Sequence, residues 1–158
     1  MKQTDQMVAT CPCGHTNIYI LTAPRARFYC HCTICQTVSR QAYADDCLQL
    51  VSDVHIPDES KIAFRAYKSP PAFNRGICKH CQSPVIAFFN PVPFIRLAFI
   101  PSGNYSPSIK LPKSKGHMFY HRRIAEIDDA LPKYEGYWSS QLATSAAIVW
   151  SFFRHDGA

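Results

Sequence analysis

Eight cysteines in a chain of 158 residues constrain this sequence more than any other feature. Seven of them lie in three clusters, with one or two residues between neighbouring cysteines: Cys11 and Cys13, then Cys30, Cys32 and Cys35, then Cys78 and Cys81. Spacings this short make a disulfide within a cluster strained, whereas adjacent thiolates can hold one tetrahedral zinc ion from a tight turn. We therefore predict zinc sites rather than a disulfide framework.

The number seven indicates two different kinds of site. Seven thiolates complete one closed four-cysteine site and leave three ligands for a second ion, which then keeps one position for water or a substrate atom. Spacing alone leaves two pairings open. In one, the CxxC pair of the central cluster joins Cys78 and Cys81 as a two-knuckle ribbon and strands Cys30. In the other, Cys11 and Cys13 join that last pair, and the central cluster holds the second ion by itself.

Composition and charge favour a folded domain with anionic partners. Apolar residues make up 47% of the chain and charged residues 18%, which suits one hydrophobic core. No apolar run approaches the roughly 20 residues of a membrane span, and the N-terminus does not resemble a signal peptide, so we expect a cytoplasmic protein without a membrane partner. The net charge of +6 does not distinguish nucleic acid from a small acidic ligand.

Strand patterns dominate the first three quarters of the chain. Short apolar or alternating runs, interrupted by prolines, predict strands at 17–21, one or two within 42–54, and others at 61–67, 85–89, 94–100 and 117–123. Residues 1–9 are polar, and we expect no regular structure there. Pro70 and Pro71 predict a chain break.

The C-terminal residues 138–158 predict a helical extension to a zinc-binding domain of residues 1–137. Ser139 or Ser140 could cap its N-terminus. An apolar stripe recurs at i, i+4, i+7, i+8 and i+11, and its members are Leu142, Ala146, Val149, Trp150 and Phe153. We expect this stripe to pack on the same domain; a homodimer contact or a lid is the alternative.

The order of these motifs resembles the glutathione-dependent formaldehyde-activating enzyme family, whose domain is shared with centromere protein V. The family pattern has CxCG, CHCxxC, Tyr-x-Ser, an arginine, CxxCG and a late Asp-Gly-Leu-Pro segment. The matching stretches here are 11–14, 30–35, Tyr67-Lys68-Ser69, Arg75, 78–81 and 128–134. Gln82 stands at the glycine of the CxxCG motif, which bears on the local backbone rather than on metal binding.

This resemblance implies a mainly β, Mss4-like fold that holds two Zn²⁺ ions per chain. It implies a structural zinc on Cys11, Cys13, Cys78 and Cys81, and a catalytic zinc on Cys30, Cys32 and Cys35. It also implies a carbon-sulfur lyase that acts on a thiol adduct such as S-hydroxymethylglutathione, with the substrate thiolate completing the second site.

Four other residues bear on the two sites. His31 lies between two proposed ligands, so an extended segment would point its ring away from the ion, and we expect it to support the site rather than bind metal. His15 or His80 could replace a cysteine in the first site. Cys47 would close the second site if it were a ligand, although a lone cysteine is more often a small buried hydrophobe.

A basic stretch near the end of the domain supports a rival function. It contains no acidic residue and consists of Lys110, Lys113, Lys115, His117, His121, Arg122 and Arg123. The stretch predicts either an anion-binding surface or a solvated face. The rival to the enzyme is a non-enzymatic zinc module that contacts nucleic acid or a protein partner.

Overall fold

The computed structural model describes residues 6–67 and 73–154. Within this part the chain is mainly β with a C-terminal helix, as predicted, and it contains ten strands and two α-helices in all. The strands are β1 Met7–Thr10, β2 Asn17–Ile20, β3 Ala26–Cys30, β4 Ala44–Leu50, β5 Val54–His55, β6 Ile62–Ala66, β7 Phe73–Cys78, β8 Pro84–Val92, β9 Ile95–Pro101 and β10 His117–Met118. The helices are α1 Thr33–Ser39 and α2 Tyr137–Phe153.

The first of two compact units contains Met1–Pro24 and Cys47–Leu111. Its strands form a small antiparallel sheet in the order β1-β2-β5 and a longer antiparallel series in the order β9-β8-β7-β6. Alternate side chains of these strands are buried together in a hydrophobic core, as a half-buried strand requires. This core includes Ile18, Ile20, Ile86, Ile100 and the sulfur of Cys47.

The second unit contains Arg25–Asp46 and Pro112–Ala158. Here β10 runs parallel to β3, so that His117 lies opposite Tyr29 and Met118 lies opposite Cys30. Helix α1 follows β3 after two residues, and α2 packs against β3 and β10. The second unit therefore places the end of β3, where the central cysteine cluster begins, beside β10.

Several local expectations were wrong. Residues Met7–Thr10 form β1, because they pair with Asn17–Ile20, whereas no regular structure was expected there. The strand expected at 117–123 stops at Met118, because Phe119 takes a positive φ of 54° and a 3-10 turn follows. Helix α1 was not anticipated. Lys68, Ser69, Pro70 and Pro71, which carry the Tyr-x-Ser motif and the predicted break, lie outside the described residues.

Helix α2 differs from its prediction in both its start and its orientation. It begins at Tyr137 with Gly136 as N-cap, and Ser140 is buried inside the first turns instead of capping them. The apolar stripe was expected to pack on the same domain, but Leu142, Val149 and Phe153 are exposed. The buried residues of α2 are Ser140 and Ser151 instead. No helix in the described part of the chain has the length and apolar character to cross a bilayer.

Candidate metal centres

Four cysteines of the first unit gather into one cluster. Cys11 and Cys13 lie in the turn after β1, Cys78 ends β7, and Cys81 lies in the turn before β8. Their four sulfur atoms all lie within 4.8 Å of one another. The Cys11–Cys13 and Cys13–Cys78 sulfur separations are 3.4 Å and 3.8 Å. Tetrahedral zinc with Zn–S bonds of about 2.3 Å requires sulfurs about 3.8 Å apart, so this donor set fits zinc.

The surroundings of these sulfurs favour thiolates unequally. Desolvation raises the pKa of Cys78, but hydrogen bonds from Thr16 and from the backbone of Cys81 and His80 outweigh it and lower the pKa to about 6. For Cys13, the backbone of His15 lowers the pKa, but desolvation and the neighbouring sulfurs raise it to about 12. The cluster thus supports some thiolates by itself and needs a cation to hold all four.

Two residues in left-handed backbone conformations close the turns of this cluster. Gly14 has a φ of +77°, and Gln82 has a φ of 62°. The backbone amide of Gln82 donates a 2.9 Å hydrogen bond to the carbonyl of Cys78. Gln82 therefore adopts the conformation that glycine accepts without strain, at the position where the family motif has glycine.

The remaining three clustered cysteines gather in the second unit. Cys30 is the last residue of β3, Cys32 is the N-cap of α1, and Cys35 lies in the first turn of that helix. The backbone amide of Cys35 donates a hydrogen bond to the sulfur of Cys32 over 3.3 Å. The three sulfur atoms lie within 4.8 Å of one another. The structure therefore groups Cys78 and Cys81 with the N-terminal pair, and the two-knuckle ribbon does not form.

No fourth metal-binding side chain joins the trio among residues 6–67 and 73–154. Cys47, the main alternative ligand, is fully buried in the hydrophobic core of the first unit. His15 and His80 lie with their rings 5.4 Å apart, and neither belongs to the four-cysteine cluster. In the described residues the trio is thus a three-sulfur site.

Crowding of the three sulfurs opposes their ionisation. The pKa of Cys30 lies well above its ordinary value, because Cys32 and then Cys35 interact with it and because it is desolvated. Cys30 lowers the pKa of Cys35, but Cys32, burial and the charge of Asp46 raise it to about 12. Three adjacent thiolates at neutral pH therefore require a cation, and a soft all-sulfur set suits zinc.

His31 connects the trio to a buried chain of hydrogen bonds. Its ring is 1% exposed, and its Nε2 lies 2.8 Å from Nδ1 of His117, which is 0% exposed. Nε2 of His117 lies 2.9 Å from Oδ2 of Asp129, whose Oδ1 accepts a hydrogen bond from Nζ of Lys133 over 2.8 Å. His31 just after β3, His117 of β10 and the late segment 128–134 thus form one hydrogen-bonded chain, which begins at the residue between two cysteines of the trio.

This chain limits where the protons of the two imidazoles can lie. Lys133 first, and then His117, hold the pKa of Asp129 well below its ordinary value, so its carboxylate accepts the proton of His117 Nε2. In the neutral form of both rings, His117 Nδ1 then accepts from His31 Nε2. Nδ1 of His31 is left as a bare acceptor, and no group in the described residues hydrogen-bonds to it.

Burial keeps the His31 ring neutral and dry. Desolvation lowers the pKa of His31 to about 4, and the charges of His117 and Arg123 add to the shift. The rings of Tyr43 and Tyr120 lie 4.9 Å and 5.2 Å from it, centroid to centroid. Sequence analysis predicted a supporting role for His31 but missed its partners, because the His117–Asp129 pair belongs to no short motif.

The basic stretch is less of a positive surface than its sequence indicates. His117 is buried, and Arg123 forms ion pairs with Glu126 and Glu135. Nδ1 of His121 accepts a hydrogen bond from the backbone of Gly136 over 2.8 Å. Of its members, the exposed ones are Lys110, Lys113, Lys115, His121 and Arg122.

Comparisons with known proteins agree with this arrangement. The model of the family described as glutathione-dependent formaldehyde-activating enzyme matches residues 6–122. No curated protein matches the chain. The fold is similar to the crystal structure of a Rhodobacter sphaeroides protein, with a TM-score of 0.52 and 15% sequence identity over 66% of this chain and 91% of that chain.

Proposed function

Because the chain belongs to the glutathione-dependent formaldehyde-activating enzyme family, we propose that it is a zinc-dependent carbon-sulfur lyase. Its proposed substrate is a thiol adduct such as S-hydroxymethylglutathione. Cys11, Cys13, Cys78 and Cys81 hold a structural zinc in this proposal, and Cys30, Cys32 and Cys35 hold the zinc at which the substrate sulfur binds.

The observation that carries the proposal is the difference in ligand number between the two clusters. The first contains four cysteine sulfurs and the second three, with no further histidine, cysteine or carboxylate joining it in the described part of the chain. A structural zinc site has four protein ligands, whereas a catalytic site has three and leaves one position for substrate. A zinc ion held by the trio would act as a Lewis acid and favour the thiolate form of a bound thiol.

The reaction breaks or forms one C–S bond and transfers one proton. When an S-hydroxymethyl adduct breaks down, the C–S bond breaks and its electron pair stays on sulfur, while the hydroxyl oxygen loses its proton as the C=O bond of formaldehyde forms. The addition of formaldehyde to the thiolate reverses these changes. A group that accepts a hydrogen bond from the hydroxyl therefore assists both directions.

His31 is a positioning residue of the three-cysteine site in our proposal, because its ring is buried and does not reach a substrate hydroxyl. Its Nδ1 is buried, lacks a hydrogen-bond partner in the described residues, and belongs to the residue between two of the three cysteines. His117 and Asp129 hold the His31 ring in place through its Nε2. The rings of Tyr43 and Tyr120 pack against His31.

Exchange spectroscopy with ¹³C-labelled formaldehyde and glutathione tests the activity directly. The zinc-loaded protein should accelerate interconversion of free formaldehyde and S-hydroxymethylglutathione, and Cys32→Ser should abolish that acceleration. Cys47→Ser is the matched control, because Cys47 lies in neither cluster. Two results would together favour the non-enzymatic module instead. The exchange rate would equal the uncatalysed rate, and the protein would bind nucleic acid more weakly after Lys113→Gln.

A further inference from the structure

Helix α2 exposes most of its large apolar side chains and buries two of its serines, while Ile148 and Phe152 are half-buried. Ser140 and Ser151 are buried on the inner face. The hydroxyl of Ser140 accepts a 2.8 Å hydrogen bond from the backbone amide of Phe119. The guanidinium of Arg25 donates a 3.3 Å hydrogen bond to the carbonyl of Ser151. On the outer face the exposed fractions are 75% for Trp138, 70% for Leu142, 54% for Val149, 54% for Trp150 and 80% for Phe153. These five residues and Ala146 are called the outer seam below.

The spacing of the outer seam is that of a helix that packs on another helix. Leu142, Ala146, Val149 and Phe153 follow one another at intervals of four, three and four residues, which is the a/d alternation of a coiled-coil seam. Ala146 is small and lies in the middle, where two helix axes approach each other most closely. The seam spans about three turns of helix.

The charge pattern favours a second copy of this chain over a lipid surface. The 17 residues of α2 include no charged side chain, although the whole chain carries +6. Helices that lie on membranes have a polar face rich in lysine and arginine, whereas α2 carries neither residue on any face. Two uncharged seams meet without repulsion.

The ends of α2 add complementarity to an antiparallel pair. Glu135 lies just before the helix and Arg154 just after it. In a two-fold pair of antiparallel helices, the N-terminal end of each helix lies beside the C-terminal end of the other. Glu135 of one copy, which pairs with Arg123 in its own chain, is then near Arg154 of the second copy, and the helix dipoles oppose each other favourably.

The exposed area is sufficient for a stable dimer. Aromatic side chains bury about 150–250 Å² each when fully covered, so the exposed parts of the outer seam amount to on the order of 700 Å² per copy. A specific interface buries about 800 Å² on each partner. The outer seam by itself supplies most of this area.

We propose that the outer seam of α2 is the interface of an antiparallel homodimer in solution. The interface lies outside residues 6–122, which the family model matches, so it is a property of this chain's own C-terminal region. It is independent of the proposed lyase activity.

Sedimentation velocity over a concentration range of the zinc-loaded protein tests the proposal. The wild-type chain should sediment as a dimer at micromolar concentrations. Leu142→Glu and, separately, Ala146→Lys should each weaken dimerisation at least tenfold, because each brings like charges together across the two-fold axis. Unchanged zinc content and circular dichroism show that a variant is folded. If Leu142→Glu does not fold, Ala146→Lys still tests the proposal, because lysine is a good helix former.

Ile124→Glu is the matched control, because Ile124 is also an exposed apolar residue and lies outside α2. It should leave the dimer intact. A wild-type chain that remains monomeric at 100-fold higher concentration would overturn the proposal, as would a dimer that neither seam variant weakens. Binding of the monomer to phosphatidylglycerol vesicles through the same residues would overturn it too and would identify a lipid surface instead.

Discussion

Nε2 of His31 lies 2.8 Å from Nδ1 of His117, and both rings are almost completely buried. The two residues are 86 positions apart in the sequence and meet because β10 runs parallel to β3. This contact links the segment that contains the three-cysteine cluster to Asp129 and Lys133 in the late segment.

Asp129→Asn should lower the rate of adduct exchange about tenfold or more while both zinc ions stay bound. The amide of asparagine can donate to His117 Nε2, which shifts the protons along the chain and places one on His31 Nδ1. Loss of such outer partners typically costs about 10–100-fold in activity or metal affinity. Asp128→Asn is the matched control, because Asp128 is exposed and adjacent.

The readout that separates positioning from mere stability is the nitrogen NMR spectrum of the two histidines. The wild-type protein should show His31 protonated on Nε2 and bare on Nδ1. Asp129→Asn should reverse or mix these tautomers. An unchanged tautomer with a reduced rate would contradict the role assigned to the chain.

Asp129 should remain ionised at pH values where an ordinary aspartic acid is protonated. Lys133 and His117 lower its pKa in the folded protein, so its contribution to stability is present above the ordinary aspartate pKa of about 3.9 and is lost as the pH falls through the lower folded value. Carboxyl carbon shifts measured from pH 6 downward would follow this titration. Lys133→Met should raise the pKa of Asp129 toward its ordinary value; a pKa near 3.9 in the wild type would contradict the account.

Loss of one cysteine should have different effects in the two clusters. Cys78→Ser should unfold the first unit, because a structural zinc contributes about 10–16 kcal/mol in small peptides, more than most domains have to spare. Cys32→Ser should keep the fold and one zinc ion, because β3, α1 and β10 are also held by packing. Native mass spectrometry and thermal unfolding distinguish these outcomes. Equal destabilisation by both substitutions would show that the clusters do not differ in role.

Gln82→Gly should stabilise the protein by about 0.5–1 kcal/mol. Gln82 has a φ of 62°, a conformation that costs a residue with a Cβ roughly 1–2 kcal/mol. The loss of its exposed side-chain hydrogen bond to the carbonyl of Lys79 offsets part of this gain. Gly14→Ala should have the opposite sign, because Gly14 has a φ of +77°. Denaturant unfolding of the zinc-loaded variants measures both, and destabilisation by Gln82→Gly would contradict the strain assigned to this turn.

Residue type and short spacing predicted metal sites on the seven clustered cysteines within a mainly β fold. Spacing left their pairing open, and the grouping that forms was implied only by the family resemblance. The predicted roles of these cysteines stay predictions. The His31–His117 contact was beyond sequence reasoning, because it depends on the parallel pairing of two segments that are 86 residues apart. His117 was instead counted in a basic surface stretch, although it is buried.

Helix α2 shows a different limit. Its periodicity indicated an amphipathic helix, which forms, but it could not indicate which face packs on the rest of the chain. The inner face is lined by small residues such as Ser140 and Ser151, whose hydroxyl groups hydrogen-bond to the backbone. An apolar stripe therefore predicts burial only where no small-residue face competes with it.

The number of sulfur ligands on the second metal ion decides whether the trio is an open metal site. We predict that the protein binds two zinc ions, with about four sulfur ligands on one ion and three on the other. X-ray absorption at the zinc edge averages over both ions, so it should give about 3.5 sulfurs per ion without glutathione and about 4 after glutathione is added. Cys32→Ser should bind one ion and show no such rise. Four protein sulfur or histidine ligands on both ions before glutathione is added would contradict the claim that the trio is an open site.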